Sequence, residues 1–283
     1  MAVGQPRPPG SPGVVVVKVG GELLGKAGEL AALCADITVL AAEGAPVVVV
    51  HGGGPQATAL QKRLGLEPRM IAGRRVTDAA TLDVIKCVIA GQVNVELCAA
   101  LCAAGARPVG LHGASGPLVL ARRRPPKVYA GAGADPVDLG LVGDVEGFDL
   151  ELLQLLVRSR RIPVVACLGA DSAGAVYNIN GDIVGNQLAA ALGAETLVLV
   201  TGAPGVLRDL ADPATRVPRL TLAEARQAIA EGVVAGGMIP KLEESFAVLG
   251  KGVGRIAIVG HLRAGDVLSA VRQPGSVGTT LEP

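Results

Sequence analysis

The feature that most constrains the fold is the alternation of short apolar runs with longer helical patterns. Six runs rich in β-branched residues are predicted strands, at residues 14–19, 46–51, 107–111, 162–168, 196–200 and 255–259. Their continuous apolar character is typical of strands buried on both faces. Helical patterns lie between them, and strands separated by helices pair in parallel through right-handed crossovers. The predicted fold class is α/β, with a mainly parallel central sheet sandwiched by helices and two lobes.

Two stretches interrupt this alternation and suggest how the chain is organised. Residues 67–77 and 118–145 combine glycine, proline and arginine clusters with short apolar pairs, a pattern that indicates hairpins. The first four strand units precede residue 193, and a shorter set follows it. We therefore predict a flexible tail over residues 1–13, an N-terminal lobe over 14–192 and a C-terminal lobe over 193–283.

Composition excludes several classes of protein. Half of the 283 residues are hydrophobic, the net charge is +1 and only 1% are aromatic. A nucleic-acid binder would need aromatic platforms or a basic face, so we expect no nucleic-acid partner. Arg122, Arg123 and Arg124 form a local basic run, which is more often a solvated face. We expect no membrane partner, because no apolar run in the sequence reaches membrane-spanning length.

The cysteines and the N-terminal residues indicate the compartment. The five cysteines are an odd number without a C-x-x-C pair, so we expect free thiols rather than a disulfide framework or a zinc site. The first thirteen residues, MAVGQPRPPGSPG, contain no apolar segment of a secretory leader. The predicted location is cytoplasmic.

The stretch VVVVKVGGELLGKAG, residues 14–28, resembles a P-loop at first sight. Gly20, Gly25 and Lys26 fit G-x-x-x-x-G-K, but Ala27 stands where a P-loop has the serine or threonine that binds Mg²⁺. No predicted strand ends in the aspartate that would hold the metal, and no G-x-G-x-x-G follows a strand. Neither a P-loop ATPase nor a dinucleotide-dependent enzyme is supported.

Two glycine-rich turns at strand ends are more informative. Lys18 lies inside the first apolar run, where a cation needs an anionic partner, and Gly20 and Gly21 follow it. The second turn has Gly52 and Gly53 after a four-valine run. Glycines at strand-to-helix turns let backbone N–H groups approach an anion. Such turns are common structural devices singly, but two at strand ends indicate a ligand site.

Three further polar residues remain ambiguous when each is considered alone. Lys241 falls in the first turn of a predicted helix, where a cation is unfavourable unless a polyphosphate binds there. Asp182 could cap a helix or could hold two lysines around a phosphate. Arg75 could be solvated or could bind a carboxylate. The three histidines lack partners at the spacing of a nucleophilic triad.

Taken together, the motifs carry a family resemblance over residues 14–281. KVGGELL, VVVHGGGP, GRRVTD, VDLGLVGDV, NINGD, PGVL and GGMIPK occur in the order seen in the amino acid kinase family, which the chain resembles. It is most similar to the branch that phosphorylates an acylated amino acid. The resemblance implies ATP-dependent phosphorylation of the side-chain carboxylate of N-acetyl-L-glutamate, a step of arginine biosynthesis.

The resemblance also implies residue roles. Lys18 and Lys241 would contact the transferred phosphoryl group from the acceptor and nucleotide sides, and Asp182 would orient them. The implied acceptor-binding residues are Gly52, Gly53, Arg75 and Asn178, and the implied ATP-phosphate contacts are Gly20, Gly21, Gly237 and Lys241. ATP would be the co-substrate and would carry Mg²⁺ without a protein metal site. The N-terminal lobe would bind the amino acid, the C-terminal lobe would bind ATP, and the hairpin around Arg75 would act as a lid.

Some positions depart from the family pattern, and alternatives stay open. Gly202 stands where family members often have aspartate, and Ser115 stands where an acidic residue is frequent. The Pro-rich N-terminus differs from the helix of arginine-regulated hexameric members, so we expect a feedback-insensitive homodimer. One alternative is a kinase for a carrier-protein-linked aminoadipate or glutamate, with Arg122, Arg123, Arg124 and Lys127 as its docking surface. Another is a non-catalytic effector-binding homologue, which Lys18, Asp182 and Lys241 together argue against.

Overall fold

Valine-rich runs form the central strands, as the sequence predicts. The computed structural model describes residues 12–209, 211–234 and 238–283. The strands within these ranges are β1 (Val15–Val19), β2 (Val47–His51), β3 (Met70–Ile71), β4 (Arg74–Arg75), β5 (Pro108–His112), β6 (Val119–Arg123), β7 (Gly143–Phe148), β8 (Ile162–Ala166), β9 (Leu168–Ala170), β10 (Val176–Asn178), β11 (Thr196–Val200), β12 (Arg219–Thr221), β13 (Arg255–Val259) and β14 (Thr279–Glu282).

The main sheet is mostly parallel. Among the described residues, eight strands join in the order β12-β14-β13-β11-β1-β2-β8-β5, and the β13–β14 pair is the antiparallel one. Strand β1 lies between β11 and β2, and every residue of these three strands is buried. Burial on both faces explains the continuous apolar runs. The sheet also joins strands from both sides of residue 193, and the two-lobe division there stays a prediction.

Helices cover both faces of this sheet. They are α1 (Ala27–Ala42), α2 (Gly54–Arg63), α3 (Ala79–Ile85), α4 (Asn94–Ala103), α5 (Leu150–Arg158), α6 (Gly181–Ala191), α7 (Leu222–Ala230), α8 (Met238–Leu249) and α9 (Asp266–Arg272). Two large clusters of buried side chains fill the space between the sheet and the helices. Because the strand-to-helix turns meet at one edge of a parallel sheet, this arrangement collects their polar residues in one place.

Antiparallel hairpins lie beside the sheet, as predicted. Strands β3 and β4 pair within the first predicted hairpin, and β6 pairs with β7 across the second. Strand β6 also pairs with β9, and β9 pairs with β10. These three strands and β7 form a second, four-stranded sheet in the order β10-β9-β6-β7. The predicted strand at 162–168 therefore divides, since its last residue belongs to β9 of this second sheet. Helix α9 and the short strands β12 and β14 were not predicted.

One helical segment corrects the expectation about membrane-length apolar runs. Helices α3 and α4 continue into each other through π-helical turns at Lys86–Val93, giving 25 helical residues, and the most apolar 18 of these have a mean hydropathy of 1.6. By length and composition alone this segment could cross a membrane. However, 44% of its most apolar part is buried, and Leu97 and Leu101 are fully buried in a cluster that also contains side chains of α1 and β8. We describe it as a helix of the protein core.

Candidate phosphoryl-transfer site

Two lysines and one aspartate that lie far apart in the sequence meet at one edge of the sheet. The Nζ atom of Lys18 lies 2.6 Å from Oδ1 of Asp182. The Nζ atom of Lys241 lies 3.7 Å from Oδ2 of the same carboxylate. The side chains of Lys18, Lys241 and Asp182 are 10%, 21% and 29% exposed, respectively. The aspartate therefore holds two largely desolvated cations near one point.

The sheet fixes the position of Lys18. Its backbone lies opposite Leu199 on one side and Val50 on the other, in the middle of the parallel ladder. Helix α6 crosses directly over it, and a Cβ atom on Gly185 would lie only 3.0 Å from Cγ of Lys18. The glycine thus leaves room for the lysine stem between helix and strand. The ammonium group emerges beside the first turn of α6, where Asp182 lies.

The structure distinguishes between Asp182 as a helix cap and Asp182 as the partner of two lysines. Asn180, not Asp182, caps α6, because its Oδ1 accepts a 2.7 Å hydrogen bond from the backbone N–H of Asp182. The Asp182 carboxylate is left to face the lysines. Burial alone would raise its pKa, but the charges and hydrogen bonds of Lys18 and Lys241 outweigh burial and hold the pKa below its ordinary value. The carboxylate is therefore ionised at neutral pH.

The two glycine-rich turns pack against each other. The side chain of Gln56 donates a 2.7 Å hydrogen bond to the carbonyl of Gly21, which links the turn after β1 to the start of α2. A Cβ atom on Gly21 would lie 2.7 Å from Cδ of Pro55, so no side chain fits there. A Cβ on Gly53 would lie 3.1 Å from Ile89, which the π-helical turns bring against the glycine. Glycine is required at these two positions because neighbouring atoms lie too close to leave room for a Cβ atom.

His51 supports the second turn, and both of its ring nitrogens are engaged in structural contacts. It is fully buried, and burial lowers its pKa to about 4, so the imidazole is neutral. Its Nε2 atom lies 2.9 Å from the side-chain nitrogen of Asn94, which leaves the Nδ1 proton to bond the Gly52 carbonyl at 2.8 Å. Asn94 also donates to the Val164 carbonyl. This network ties the glycine turn to the long core helix and to β8.

A cavity of about 260 Å³ opens beside the first turn of α6, next to the lysine pair, and Asn180, Gly181 and Ile183 belong to its lining. Its lining includes the predicted acceptor-binding residues Gly52, Gly53, Arg75 and Asn178. Arg75 donates to the Thr58 hydroxyl at 2.6 Å and to the Gly54 carbonyl at 3.1 Å, so its guanidinium is held against α2. Asn178 lies on β10 and donates to the Thr77 hydroxyl at 3.1 Å. Both side chains are positioned by neighbouring elements before any ligand binds.

The same cavity contains charged residues that sequence reasoning missed. Arg124 lines it with only 11% of its side chain exposed, and its Nε lies 2.7 Å from Oδ1 of Asp144. Arg74 and Glu244 line it as well. Burial and the nearby Asp182 carboxylate raise the pKa of Glu244. Even with the carboxylate of Asp144 paired to Arg124, the three arginines outnumber the carboxylates of Glu244 and Asp144, so the cavity keeps a positive balance that suits an acidic ligand. No pattern in the sequence distinguished Arg124 from its exposed neighbours.

A second, wider cavity of about 860 Å³ contains the lysine pair itself. Lys18, Asp182 and Lys241 line it, together with Gly20, Gly21, Glu22, Thr201 and Gly202. Gly73 lines both cavities, which places the hairpin of β3 and β4 between them. The predicted phosphate contact Gly237 lies outside the described residues. Within the described part of the chain, no cluster of three or more His, Cys, Asp or Glu side chains could hold a metal ion.

The residues that suggested a P-loop lie away from this site. Lys26 is exposed, follows a short 3₁₀ turn and pairs with Glu29 at 2.9 Å. It lines neither of the two cavities. The rejection of the P-loop interpretation from Ala27 agrees with this placement.

Comparison with known proteins identifies the family of this chain. The sequence model of the Amino acid kinase family matches residues 13–260, and the chain belongs to this family. Among similar proteins is an acetylglutamate kinase from Sorangium cellulosum (strain So ce56), 60% identical over 96% of this chain and 95% of the relative. An acetylglutamate kinase from Anaeromyxobacter dehalogenans (strain 2CP-C) is 59% identical over 95% of this chain and 99% of the relative.

Solved structures support the same fold. An N-acetylglutamate synthase from Neisseria gonorrhoeae complexed with coenzyme A and N-acetyl-glutamate superposes with a TM-score of 0.79 and 27% identity. That comparison covers 96% of this chain but only 59% of the synthase chain. The carbamate kinase from Giardia lamblia bound to AMP-PNP has a TM-score of 0.65 and 19% identity, over 96% of this chain and 99% of its own. At that identity it supports the fold alone.

Proposed function

We propose that the chain catalyses the ATP-dependent phosphorylation of the side-chain carboxylate of N-acetyl-L-glutamate, a step of arginine biosynthesis. The observation that carries this proposal is the Lys18–Asp182–Lys241 group, which lines the wide cavity and adjoins the smaller one at the first turn of α6. One cavity has a positive balance suited to a dicarboxylate, and the other is wide enough for a nucleotide. The full-length similarity to proteins named acetylglutamate kinase supports the same acceptor.

Charge stabilisation and positioning account for the chemistry. The acceptor carboxylate is itself the nucleophile, so its oxygen attacks the terminal phosphorus of ATP while the bond to the bridging oxygen breaks and ADP leaves. Lys18 on the acceptor side and Lys241 on the nucleotide side stabilise the negative charge on the transferred group. Asp182 holds both ammonium groups in place, and its negative charge offsets the repulsion between them. No general base is needed, which is consistent with a neutral, structural His51.

The remaining site residues bind and orient the two substrates. Gly52, Gly53, Arg75 and Asn178 hold the acylated amino acid, and Gly20, Gly21, Gly237 and Lys241 contact the phosphates of ATP. In this scheme residues 14–192 bind the acceptor and residues 193–283 bind ATP. The β3–β4 hairpin closes over the product, because an acyl phosphate hydrolyses if water reaches it.

Mg²⁺ accompanies the nucleotide in this proposal. The nucleotide-side cavity contains carboxylate oxygens, the donor type that Mg²⁺ prefers. The ion would be held mainly by ATP phosphates and water, and it would neutralise phosphate charge during transfer.

A carrier-linked acceptor is less well supported. The basic run that could bind an acidic carrier is internally neutralised in the structure. Arg123 lies 2.8 Å from Asp138, Arg122 lies 3.6 Å from Glu146, and Arg124 pairs with Asp144. Lys127 shares the Asp144 carboxylate at 3.8 Å. A surface whose cations already have acidic partners attracts an acidic protein weakly.

A hydroxamate assay tests the function directly. Hydroxylamine traps an acyl phosphate, so we expect hydroxamate from ATP with free N-acetyl-L-glutamate and much less from free glutamate or aspartate. The same assay with a carrier-linked aminoadipate is the comparison. Product from the carrier-linked substrate alone would make the chain a carrier-dependent kinase, and no product from either would make it a non-catalytic homologue.

We also propose that the chain works in the cytoplasm as a homodimer. All five cysteines are free thiols, and burial raises the pKa of Cys34, Cys98 and Cys167 to about 11, which suits a reducing compartment. The dimer is supported by an exposed apolar face on α4. Val95 is 64% exposed, and Ala99 and Cys102 follow at helical spacing on the same face. Small apolar side chains allow two helices to pack closely.

Val95→Glu tests this interface. A buried, unpaired carboxylate at a helix crossing is destabilising, so the variant should elute as a monomer when the wild-type chain elutes as a dimer. Light scattering on the eluting peak measures the mass. Leu155→Glu, at an exposed leucine of α5, is the matched control and should remain dimeric. A wild-type chain that is monomeric at micromolar concentration would contradict the proposal.

A further inference from the structure

Besides Asp182, the nucleotide-side cavity contains the carboxylate of Glu22. Glu22 lies directly after Gly20 and Gly21, at the start of the short turn that follows β1. Its carboxylate reaches across to the neighbouring strand end and rests over Gly202. A Cβ atom on Gly202 would lie 2.5 Å from Oε2 of Glu22, closer than real contacts allow. The carboxylate therefore occupies the space that any side chain at position 202 would fill.

Strand register explains why these two residues meet. Strands β1 and β11 are parallel neighbours, with Val19 opposite Val200 at their carboxyl ends. Glu22 and Gly202 follow those ends by three and two residues, so both turns open onto the same cavity. Thr201 and the two lysines of the site line this cavity as well.

The carboxylate of Glu22 is unpaired in a cavity that the proposed function fills with phosphates. Its side chain is exposed, and within the described residues it has no hydrogen bond or ion pair, unlike Asp182 in the same cavity. ATP bound to Lys18 and Lys241 would bring several negative charges into this cavity. A free carboxylate facing a polyphosphate is repulsive unless a cation lies between them. A hard divalent cation bound by carboxylate and phosphate oxygens removes the repulsion and turns it into attraction.

We propose that Glu22, given room by Gly202, is a positioning residue for the divalent cation that accompanies ATP. Its carboxylate accepts hydrogen bonds from the water shell of the ion or binds the ion itself, and so orients the metal–phosphate unit against the lysines. This inference rests on the proposed function, since it requires a metal–ATP complex in this cavity. The sequence analysis expects ATP to carry Mg²⁺ without a protein metal site, and this inference gives the ion one protein side chain in addition.

Binding measurements with a non-hydrolysable ATP analogue test the inference without turnover. We would titrate AMP-PNP into the full chain by calorimetry, once with Mg²⁺ and once with EDTA. Glu22→Gln should weaken binding of the magnesium complex by about 10-fold, the range seen when groups that orient metal ligands are removed. Binding of the metal-free analogue should be unchanged or slightly tighter, because a repulsive charge has gone. Glu151→Gln, at an exposed carboxylate of α5, is the matched control.

Moving the carboxylate from position 22 to position 202 gives a more specific test. Gly202→Ala should displace the Glu22 carboxylate and reproduce the loss seen with Glu22→Gln. Glu22→Ala combined with Gly202→Asp returns a carboxylate to the same space from the other strand, and we expect it to recover most of the magnesium-dependent affinity. Release of Mn²⁺ from the ternary complex, followed by electron paramagnetic resonance, gives an independent readout of metal affinity.

Three results would overturn the inference. Glu22→Gln with unchanged affinity for the magnesium complex would leave the carboxylate without this role. An equal loss with and without metal would mean that Glu22 contacts the nucleotide rather than the ion. A wild-type chain that binds AMP-PNP under neither condition would remove the proposed function together with the inference, whereas the first two results leave that function intact.

Discussion

Lys18→Met is expected to lower kcat by about 10²–10³-fold, the usual loss when one donor to a developing anion is removed. Methionine keeps most of the buried volume of the lysine and removes its charge, so the strand should still pack. In the proposed mechanism the ammonium group acts on the transferred phosphoryl group, so kcat and kcat/KM should fall together. Loss of the adjacent cation should also raise the pKa of Asp182, since burial then acts with only Lys241 against it. Hydroxamate formation at saturating substrates measures the effect.

Lys26→Met is the matched control for this experiment. Lys26 belongs to the stretch that resembles a P-loop, but it is exposed and pairs only with Glu29 in the structure. An exposed pair of this kind contributes little to stability, so the variant should retain the wild-type rate. If Lys26→Met lost activity and Lys18→Met kept it, the P-loop interpretation would be restored and the site as described would be wrong.

The second large effect is expected from Gly185→Ala, which adds a single methyl group. The new Cβ atom would lie 3.0 Å from Cγ and 3.1 Å from Cβ of Lys18. These carbons are close to the backbone of β1, which is held by hydrogen bonds on both sides and cannot retreat. Helix α6 or the lysine must therefore shift, and with it the contact between Lys18 and Asp182. We expect activity to fall about 10- to 100-fold, because small displacements of catalytic groups have effects of that size.

Stability should change much less than activity in Gly185→Ala. Alanine favours a helix over glycine by about 1 kcal/mol, which offsets part of the overpacking cost of about 1–3 kcal/mol. Gly28→Ala in α1 is the matched control, since nothing lies within 4 Å of its added Cβ atom. Thermal unfolding and the hydroxamate rate should be compared for both variants. A Gly185→Ala variant within twofold of the wild-type rate would show that the close contact does not position the lysine.

Much of the fold follows from the sequence because its signal is local. Residues 196–200 and 255–259 were predicted as strands and occupy those same positions in the sheet. Buried parallel strands give continuous apolar runs, which are easy to recognise. Strand β12 has three residues at the sheet edge and its neighbour β14 has four, so neither carries such a run. Helix α9 was missed because the buried Asp36 carboxylate, remote in sequence, accepts hydrogen bonds from backbone N–H groups at its start.

The site was predictable where a residue type conflicts with its surroundings. A lysine inside a valine run is costly alone, and this conflict identified Lys18 without any structure. Arg124 carries no such conflict, since three arginines in a row resemble a solvated surface. Only the pairing of β6 with β7 turns one of them inward toward Asp144. The position of Glu22 over Gly202 likewise depends on which strands are neighbours, and that information is not local to either residue.

The different anchoring of Lys18 and Arg75 has a consequence for how proteins of this architecture diversify. Lys18 belongs to a strand hydrogen-bonded on both sides at the centre of the sheet, so changes around it threaten the whole fold. Arg75 belongs to a hairpin of two paired residues on each strand, outside the main sheet. Mutations there disturb few core contacts and can accumulate at little loss of stability. Under the roles proposed for these two residues, selection can thus exchange the acceptor while the machinery of phosphoryl transfer stays fixed.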